Sequence, residues 1–213
     1  MPRKNHTEIV CIIDRSGSME SIRSDAIGGF NAFIEEQKKI PGTASVSLVL
    51  FDNEYETPYI NKDIKQIEGL TDKTFVPRGG TALFDAVGKT INSTSAKIAS
   101  MKKEDRPEKV VVCILTDGEE NSSKEFTGDQ IKVMIDNQKG QSQWSFIFLA
   151  ANQDAFATAS TFFSSAFFSP QLSADSLAVC SFAATEDGTA RAFADMGKAT
   201  TRFRSNVKNK DAK

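Results

Sequence analysis

Short runs of consecutive apolar residues alternate along the chain with longer stretches of helical period. The apolar runs lie at 9–13, 46–51, 110–115 and 146–151. The runs at 9–13, 110–115 and 146–151 lack polar alternation, which is typical of strands buried on both faces of a parallel sheet. The run at 46–51 alternates more and is expected nearer the edge of the sheet. A further strand at 55–60 follows the second run after only Asp52, Asn53 and Glu54. Because that connection is too short for a parallel crossover, it predicts an antiparallel hairpin.

Helical periodicity predicts a helix after most of these strands. The first helix carries its apolar stripe on Ile22, Ala26, Phe30, Phe33, Ile34 and Gln37. It also contains Gly28 and Gly29, each of which costs about 1 kcal/mol in a helix interior, and a close approach of helix to sheet is the expected compensation. Further helices are predicted at 82–101, 127–139, 154–160 and 186–205, with a weak strand at 177–182. This alternation predicts an α/β fold, a three-layer αβα Rossmann-like arrangement with a mostly parallel central sheet and one antiparallel edge strand.

Length and composition favour a single globular domain. The chain has 213 residues, of which 39% are hydrophobic and 25% charged, and no linker divides it. We therefore expect one domain over 7–205 with short flexible termini at 1–6 and 206–213. A net charge of −2 gives no general attraction to nucleic acid or to anionic membrane. The first apolar run is too short for a secretory signal and no run is long enough for a membrane span, which favours a cytoplasmic protein.

The residue inventory limits what kind of site the protein can build. One histidine excludes a site made of several imidazoles, and three scattered cysteines cannot form a four-cysteine zinc site. Oxygen ligands or carboxylates must therefore carry any chemistry. Such ligands are placed at predicted strand ends: Asp14, Ser16 and Ser18 follow the first strand, Thr81 opens a helix after two glycines, and Asp117 follows the 110–115 strand.

The carboxyl ends of parallel strands meet at one edge of a sheet, and ligands bind there near the switch point of strand order. Two carboxylates and three hydroxyls are therefore expected at one place. Hard oxygen ligands of this kind suit Mg²⁺ or Mn²⁺, whereas Ca²⁺ prefers more carboxylates.

These residues resemble a known family motif. The segment from Asp14 to Ser18 reads D-x-S-x-S, the first element of the metal-ion-dependent adhesion site (MIDAS) of von Willebrand factor type A (VWA) domains. Thr81 and Asp117 stand where that family places its other two elements. The resemblance covers roughly residues 7–204.

The resemblance implies specific roles and a partner. Ser16 and Ser18 would bind the metal directly, Thr81 directly or through water, and Asp14 and Asp117 mainly through waters and hydrogen bonds. Neutral ligands would leave the cation seeking an acidic side chain from a partner protein. The implied function is a metal-dependent protein-binding module, an intracellular scaffold or regulatory component of a kind often found in bacteria. Residues expected to rim the site, and so to contact the partner, are Arg15, Met19, Glu20, Arg78, Gly80, Glu119, Glu120 and Asn121.

One enzymatic alternative uses the same strand edge. Asp14 could act as an aspartyl nucleophile with Mg²⁺, as in phosphoester hydrolases that resemble haloacid dehalogenases. That family has a second carboxylate two residues later, where this chain has Ser16. The departure favours a binding protein that is not an enzyme. A separate cluster of aromatic residues is consistent with either a core-covering segment or an exposed partner patch: Phe156, Phe162, Phe163, Phe167 and Phe168.

Overall fold

The computed structural model describes residues 2–142, 144–150, 178–181 and 185–205. Its strands are β1 (Arg3–Asp14), β2 (Thr43–Phe51), β3 (Tyr55–Asp63), β4 (Pro107–Thr116), β5 (Trp144–Ala150) and β6 (Ala178–Ser181). Its helices are α1 (Arg23–Lys38), α2 (Leu83–Ser100), α3 (Gly128–Ser142) and α4 (Glu186–Ser205). Short 3-10 helices span Gly17–Ile22 and Ile64–Gln66. None of the helices within these ranges is long and apolar enough to cross a membrane.

The strands form one six-stranded sheet in the order β3-β2-β1-β4-β5-β6. Every neighbouring pair is parallel except β2 and β3, which form the predicted antiparallel hairpin at one edge. The mostly parallel αβα fold is therefore confirmed. The chain runs outward from β1 in one direction through β2 and in the other through β4, so the switch point lies between β1 and β4.

Both faces of the sheet are covered by apolar layers. Ile9, Cys11 and Ile13 of β1 pack with α1 and α4 on one face. Val10 and Ile12 pack on the other face with α2 and α3. Alternate residues point to opposite faces of a strand, so an uninterrupted apolar run is what a strand buried on both faces requires.

The amino end of β1 corrects one prediction. The segment 1–6 was expected to be a flexible terminus, but β1 already begins at Arg3. His6 pairs with Thr43 of β2 in the ladder, and its Nδ1 lies 2.8 Å from the Thr43 hydroxyl. Polar side chains that find such partners can extend a strand beyond its apolar core. The other predicted terminus, 206–213, lies outside the described residues, as do the predicted helix at 154–160 and the phenylalanine cluster.

The glycine pair of α1 also differs from the prediction. The predicted apolar stripe of this helix is buried as expected. However, a β-carbon on Gly29 would overlap the ring of Phe193 in α4, whereas one on Gly28 would meet nothing within 4 Å. The close approach is therefore between two helices rather than between helix and sheet, and it involves only one of the two glycines.

Candidate functional site

Three loops meet at the carboxyl edge of the sheet beside the switch point. We call them the serine loop (residues 14–18, after β1), the threonine loop (78–82, before α2) and the aspartate loop (117–122, after β4). Backbone hydrogen bonds join the first two: Gly17 N–H donates to Gly79 O at 3.1 Å, and Arg78 N–H donates to Arg15 O at 2.8 Å. Asn121 N–H in turn donates to Thr81 O at 3.0 Å. The three loops therefore form one connected unit.

The hydroxyl groups predicted from the sequence lie together in this unit. The Ser16 and Ser18 Oγ atoms are 3.1 Å apart, and Ser18 Oγ donates to Asp117 Oδ1 at 2.8 Å. A β-carbon built on Gly118 would lie 3.0 Å from Thr81 Oγ1 and 3.5 Å from Ser18 Oγ. Hydroxyls of the serine and threonine loops therefore both lie close to Gly118, next to the Asp117 carboxylate.

Asp14, at the carboxyl end of β1, is fully buried. Its Oδ1 accepts the Ser16 N–H at 2.7 Å, and its Oδ2 accepts the Thr116 hydroxyl at 2.5 Å. Burial raises the pKa of Asp14 to about 7, despite these hydrogen bonds, which lower it. Asp14 therefore shapes the serine loop and places a poorly solvated carboxylate behind the hydroxyls.

Asp117 shares this electrostatic character. It is 5% exposed, and burial raises its pKa against the lowering effect of the hydrogen bond from Ser18. The nearby Asp117 carboxylate also raises the pKa of Asp14. The negative charges of two desolvated carboxylates close to each other repel, and a bound cation would compensate them.

The donor chemistry fits a hard divalent cation. The candidate set consists of carboxylate and hydroxyl oxygens, the ligand type of Mg²⁺ and Mn²⁺. Within the described part of the chain, no three His, Cys, Asp or Glu side chains group closely enough to hold a metal. A metal at this edge would therefore depend on the hydroxyls of Ser16, Ser18 and Thr81.

Two of the predicted rim residues do not face the surface. Met19 is fully buried and packs in the core beside α1, because the 3-10 helix after Ser16 turns it inward. Arg15 is only 4% exposed. Its guanidinium is turned toward the β2–β3 turn, with Nε 3.0 Å from Asp52 Oδ2 and Nη2 2.7 Å from Glu56 Oε1. Arg15 and Met19 therefore do not form part of the exposed rim of the site.

The remaining rim predictions divide into exposed and bracing residues. Glu20, Arg78 and Glu119 are exposed and Gly80 is partly exposed. Glu120 is instead turned toward α2, where its Oε2 accepts the Phe84 N–H at 2.9 Å and so caps the helix start. Asn121 is exposed but also accepts the Thr81 N–H through Oδ1 at 2.9 Å.

Sequence reasoning missed Thr116 and Asp52. Thr116 binds the Asp14 carboxylate, and Asp52 is a buried acceptor for both Arg15 and Arg78. The sequence does contain a signal for Asp52, because this residue directly follows a predicted buried strand and so lies at the same edge of the sheet as Asp14.

Comparison with solved structures identifies the architecture. The chain is similar to a von Willebrand factor type A protein from Catenulispora acidiphila, with 13% identity and a TM-score of 0.56 over 92% of this chain and 43% of that one. It is also similar to proximal thread matrix protein 1 of the mussel byssus, solved with zinc in its MIDAS motif, with 14% identity and a TM-score of 0.60 over 92% of this chain and 46% of that one. The chain has the fold of a VWA domain.

A third similar structure is the manganese-loaded TRAP protein of Plasmodium vivax, with 11% identity and a TM-score of 0.60 over 95% of this chain and 75% of that one. The chain spans less than half the length of the first two proteins. No protein-family model matches the sequence, and no curated protein matches it significantly. At these identities the VWA likeness describes the fold alone.

Proposed function

We propose that this VWA-fold protein is a divalent-metal-dependent protein-binding module that takes an acidic side chain of a partner. The observation that carries the proposal is that the Thr81 and Ser18 hydroxyls both lie close to Gly118, with Ser18 hydrogen-bonded to the Asp117 carboxylate. Two similar structures are described as holding zinc or manganese, which supports a divalent metal here. Mg²⁺ or Mn²⁺ suits the hydroxyl and carboxylate ligands best.

In this proposal, Ser16, Ser18 and Thr81 hold the metal through their hydroxyl oxygens. Asp14 holds the serine loop in shape through the Ser16 N–H, and Asp117 orients the Ser18 hydroxyl. When bound, the cation supplies positive charge that neutral ligands leave largely uncompensated, and a partner carboxylate is the group that answers it. The exposed Arg78 and Glu119 and the partly exposed Gly80 surround the approach.

The buried position of Asp14 weighs against the hydrolase alternative. A nucleophilic carboxylate must present an oxygen to its substrate, whereas Asp14 is fully buried and engages both oxygens in hydrogen bonds. We therefore propose a binding role without enzymatic turnover. Release of phosphate from a generic phosphoester, lost in Asp14→Asn, would contradict this view.

The direct test is calorimetric titration of MgCl₂ and of MnCl₂ into the wild type, Ser18→Ala and Ser24→Ala. Ser24 is an exposed serine of α1 outside the three loops of the site, so its variant is the matched control. We expect saturable binding to the wild type and Ser24→Ala and a large loss in Ser18→Ala. Equal binding by all three proteins would contradict a site at the serine loop.

Partner chemistry needs a separate test on the metal-loaded protein. A short peptide with one central glutamate, and its glutamine counterpart, can be titrated while amide chemical shifts are followed. We expect shifts in residues 16–18, 79–81 and 117–119 with the glutamate peptide and Mg²⁺ only. The same shifts with EDTA present, or with the glutamine peptide, would refute metal-dependent recognition of an acidic side chain.

A further inference from the structure

A charge cluster lies directly beside the serine loop and is centred on Asp52. This carboxylate is 1% exposed, yet its Oδ2 lies 3.0 Å from Arg15 Nε and 2.9 Å from Arg78 Nε. On its outer side, Arg78 Nη2 also lies 2.5 Å from Glu54 Oε2 and 3.1 Å from Glu56 Oε1. One buried oxygen is therefore shared by guanidinium groups from the serine loop and from the threonine loop.

The backbone around Asp52 joins the same elements. Asp52 O accepts the Ala82 N–H at 3.1 Å, where the threonine loop enters α2, and the neighbouring Phe51 O accepts the Arg15 N–H at 2.8 Å. Asp52 Oδ1 accepts the Glu54 N–H at 2.6 Å, which fixes the turn between β2 and β3. The position of Asp52 thus sets how the serine and threonine loops lie against each other.

We propose that Asp52 is a positioning residue for the metal site, acting through Arg15 and Arg78 to hold the Ser16 and Ser18 hydroxyls in register with Thr81. This inference rests on the proposed function, since it concerns the same site. Arg15 occupies a variable position of the D-x-S-x-S motif, between Asp14 and Ser16. Without its buried acceptor, the guanidinium would lose a charge-assisted hydrogen bond inside the protein and would have to move. Because Arg15 is buried, with little room for its side chain to move alone, we expect its displacement to reach Asp14 and Ser16 on either side of it.

Charge and position must be separated, because removing any carboxylate near a cation weakens binding by electrostatics alone. Glu54 provides the matched control: it carries the same charge, and its carboxylate is paired with Arg78 but with no atom of the serine loop. Because Glu54 is 66% exposed, solvent screens its charge more strongly than that of buried Asp52, so a metal-free measurement is needed beside the affinities. Asp52→Asn and Glu54→Gln therefore make the same change in formal charge but differ in contact with Arg15.

The experiment is titration of MnCl₂ into the wild type, Asp52→Asn, Glu54→Gln and Arg15→Lys, with melting temperatures of all four recorded in EDTA. Residues that support metal ligands from outside the coordination sphere typically change affinity by about 10–100-fold. We expect about tenfold weaker binding for Asp52→Asn and no more than about twofold for Glu54→Gln. Arg15→Lys keeps the charge but loses the fork shared between Asp52 and Glu56, so it should also weaken binding.

A measurement on the metal-free protein tests the positioning role without depending on metal affinity or on the amount of folded protein. Amide hydrogen exchange of Gly17 and Arg78 in EDTA reports the two hydrogen bonds that join the loops. We expect faster exchange of both amides in Asp52→Asn and unchanged exchange in Glu54→Gln. If the wild type binds no metal, the proposed function fails. If it binds metal but Asp52→Asn binds within twofold of it with unchanged exchange, only the positioning role is overturned.

Discussion

Replacing Gly28 and Gly29 of α1 by alanine, one at a time, should change stability in opposite directions. The residues are adjacent in one helix and differ in what surrounds them. A β-carbon on Gly28 meets nothing within 4 Å, whereas one on Gly29 would overlap the Phe193 ring, with Cε2 and Cγ at 2.7 Å. Phe193 is buried, so its ring cannot swing into solvent without losing its packing.

The magnitudes follow from two separate terms. Alanine in place of glycine in a helix interior gains about 0.5–1 kcal/mol, because the unfolded chain loses conformational freedom. Gly28→Ala should gain this amount in full. Gly29→Ala gains the same amount but must also displace the ring or move α4, and such overpacking costs about 1–3 kcal/mol. The two variants should therefore differ by about 1–3 kcal/mol in their free energy of unfolding.

Urea unfolding followed by circular dichroism measures this difference, with thermal unfolding as a second readout. For a chain of this size, 1 kcal/mol corresponds to about 2–4 °C in melting temperature. Gly29→Ala combined with Phe193→Leu should recover part of the loss, since leucine removes the ring atoms that the β-carbon meets. If Gly29→Ala is as stable as Gly28→Ala, the proposed contact between α1 and α4 does not limit this position.

Three further changes test the site and the amino end of the sheet. Gly118→Ala should weaken Mg²⁺ binding by about tenfold in calorimetry, because its β-carbon would lie 3.0 Å from Thr81 Oγ1 and the Thr81 side chain would have to shift. Gly140→Ala, whose β-carbon would meet nothing within 4 Å, should leave affinity unchanged. Equal affinities of the two variants would contradict the location of the site. In EDTA, Asp14→Asn should stabilise the protein by up to about 4 kcal/mol above pH 7. The folded pKa of Asp14 is raised from 3.8 to about 7, so the wild type loses stability as pH rises between these values. The gain should shrink toward pH 4, and a gain independent of pH would exclude this cause. Burial lowers the pKa of His6 below 6.5, so the wild type should lose stability as pH falls through the unfolded pKa near 6.5. Urea titrations at different pH values should show a smaller loss for His6→Gln. An identical pH profile for both proteins would refute this role of His6.

The strands predicted most accurately are those whose burial follows directly from the hydrophobic pattern of the sequence. β1, β4 and β5 are apolar on both faces, so their positions and parallel pairing follow from the runs themselves. The site residues at their carboxyl ends could be predicted for the same reason, since the sheet brings those ends together whatever the loops do. The strand positions alone therefore predict that Asp14 and Asp117 lie at one edge of the sheet.

The direction of individual loop side chains could not be predicted in this way. Arg15 and Met19 lie between or beside motif residues, and nothing local distinguishes their orientation from that of Ser18. Arg15 turns inward because Asp52, 37 positions later, offers it a buried acceptor. Met19 turns inward because the 3-10 helix places it over the α1 side of the core. Such partners depend on the tertiary fold rather than on spacing.

The early start of β1 has a similar origin. Glu8 is buried within the strand although glutamate is rarely fully buried without partners. The Ser47 hydroxyl donates to it at 2.6 Å and Asn61 Nδ2 at 2.5 Å, and Ser45 donates to it as well. These donors come from β2 and β3, so the polar segment extends a sheet only once its neighbours are in place. Hydrophobic pattern alone therefore starts the strand too late along the chain.

The hydrogen bonds of the site give a physical reason why hydroxyls rather than carboxylates would face the metal. Asp14 engages both oxygens within the protein, with the Ser16 N–H and the Thr116 hydroxyl. The Ser18 hydroxyl donates a hydrogen bond to Asp117, so its oxygen lone pairs point in other directions. The charged acceptor also makes this oxygen more negative. The carboxylates would then act on a cation through the serines they orient. A cation held this way keeps most of its charge, and that remaining charge is what a partner carboxylate would neutralise.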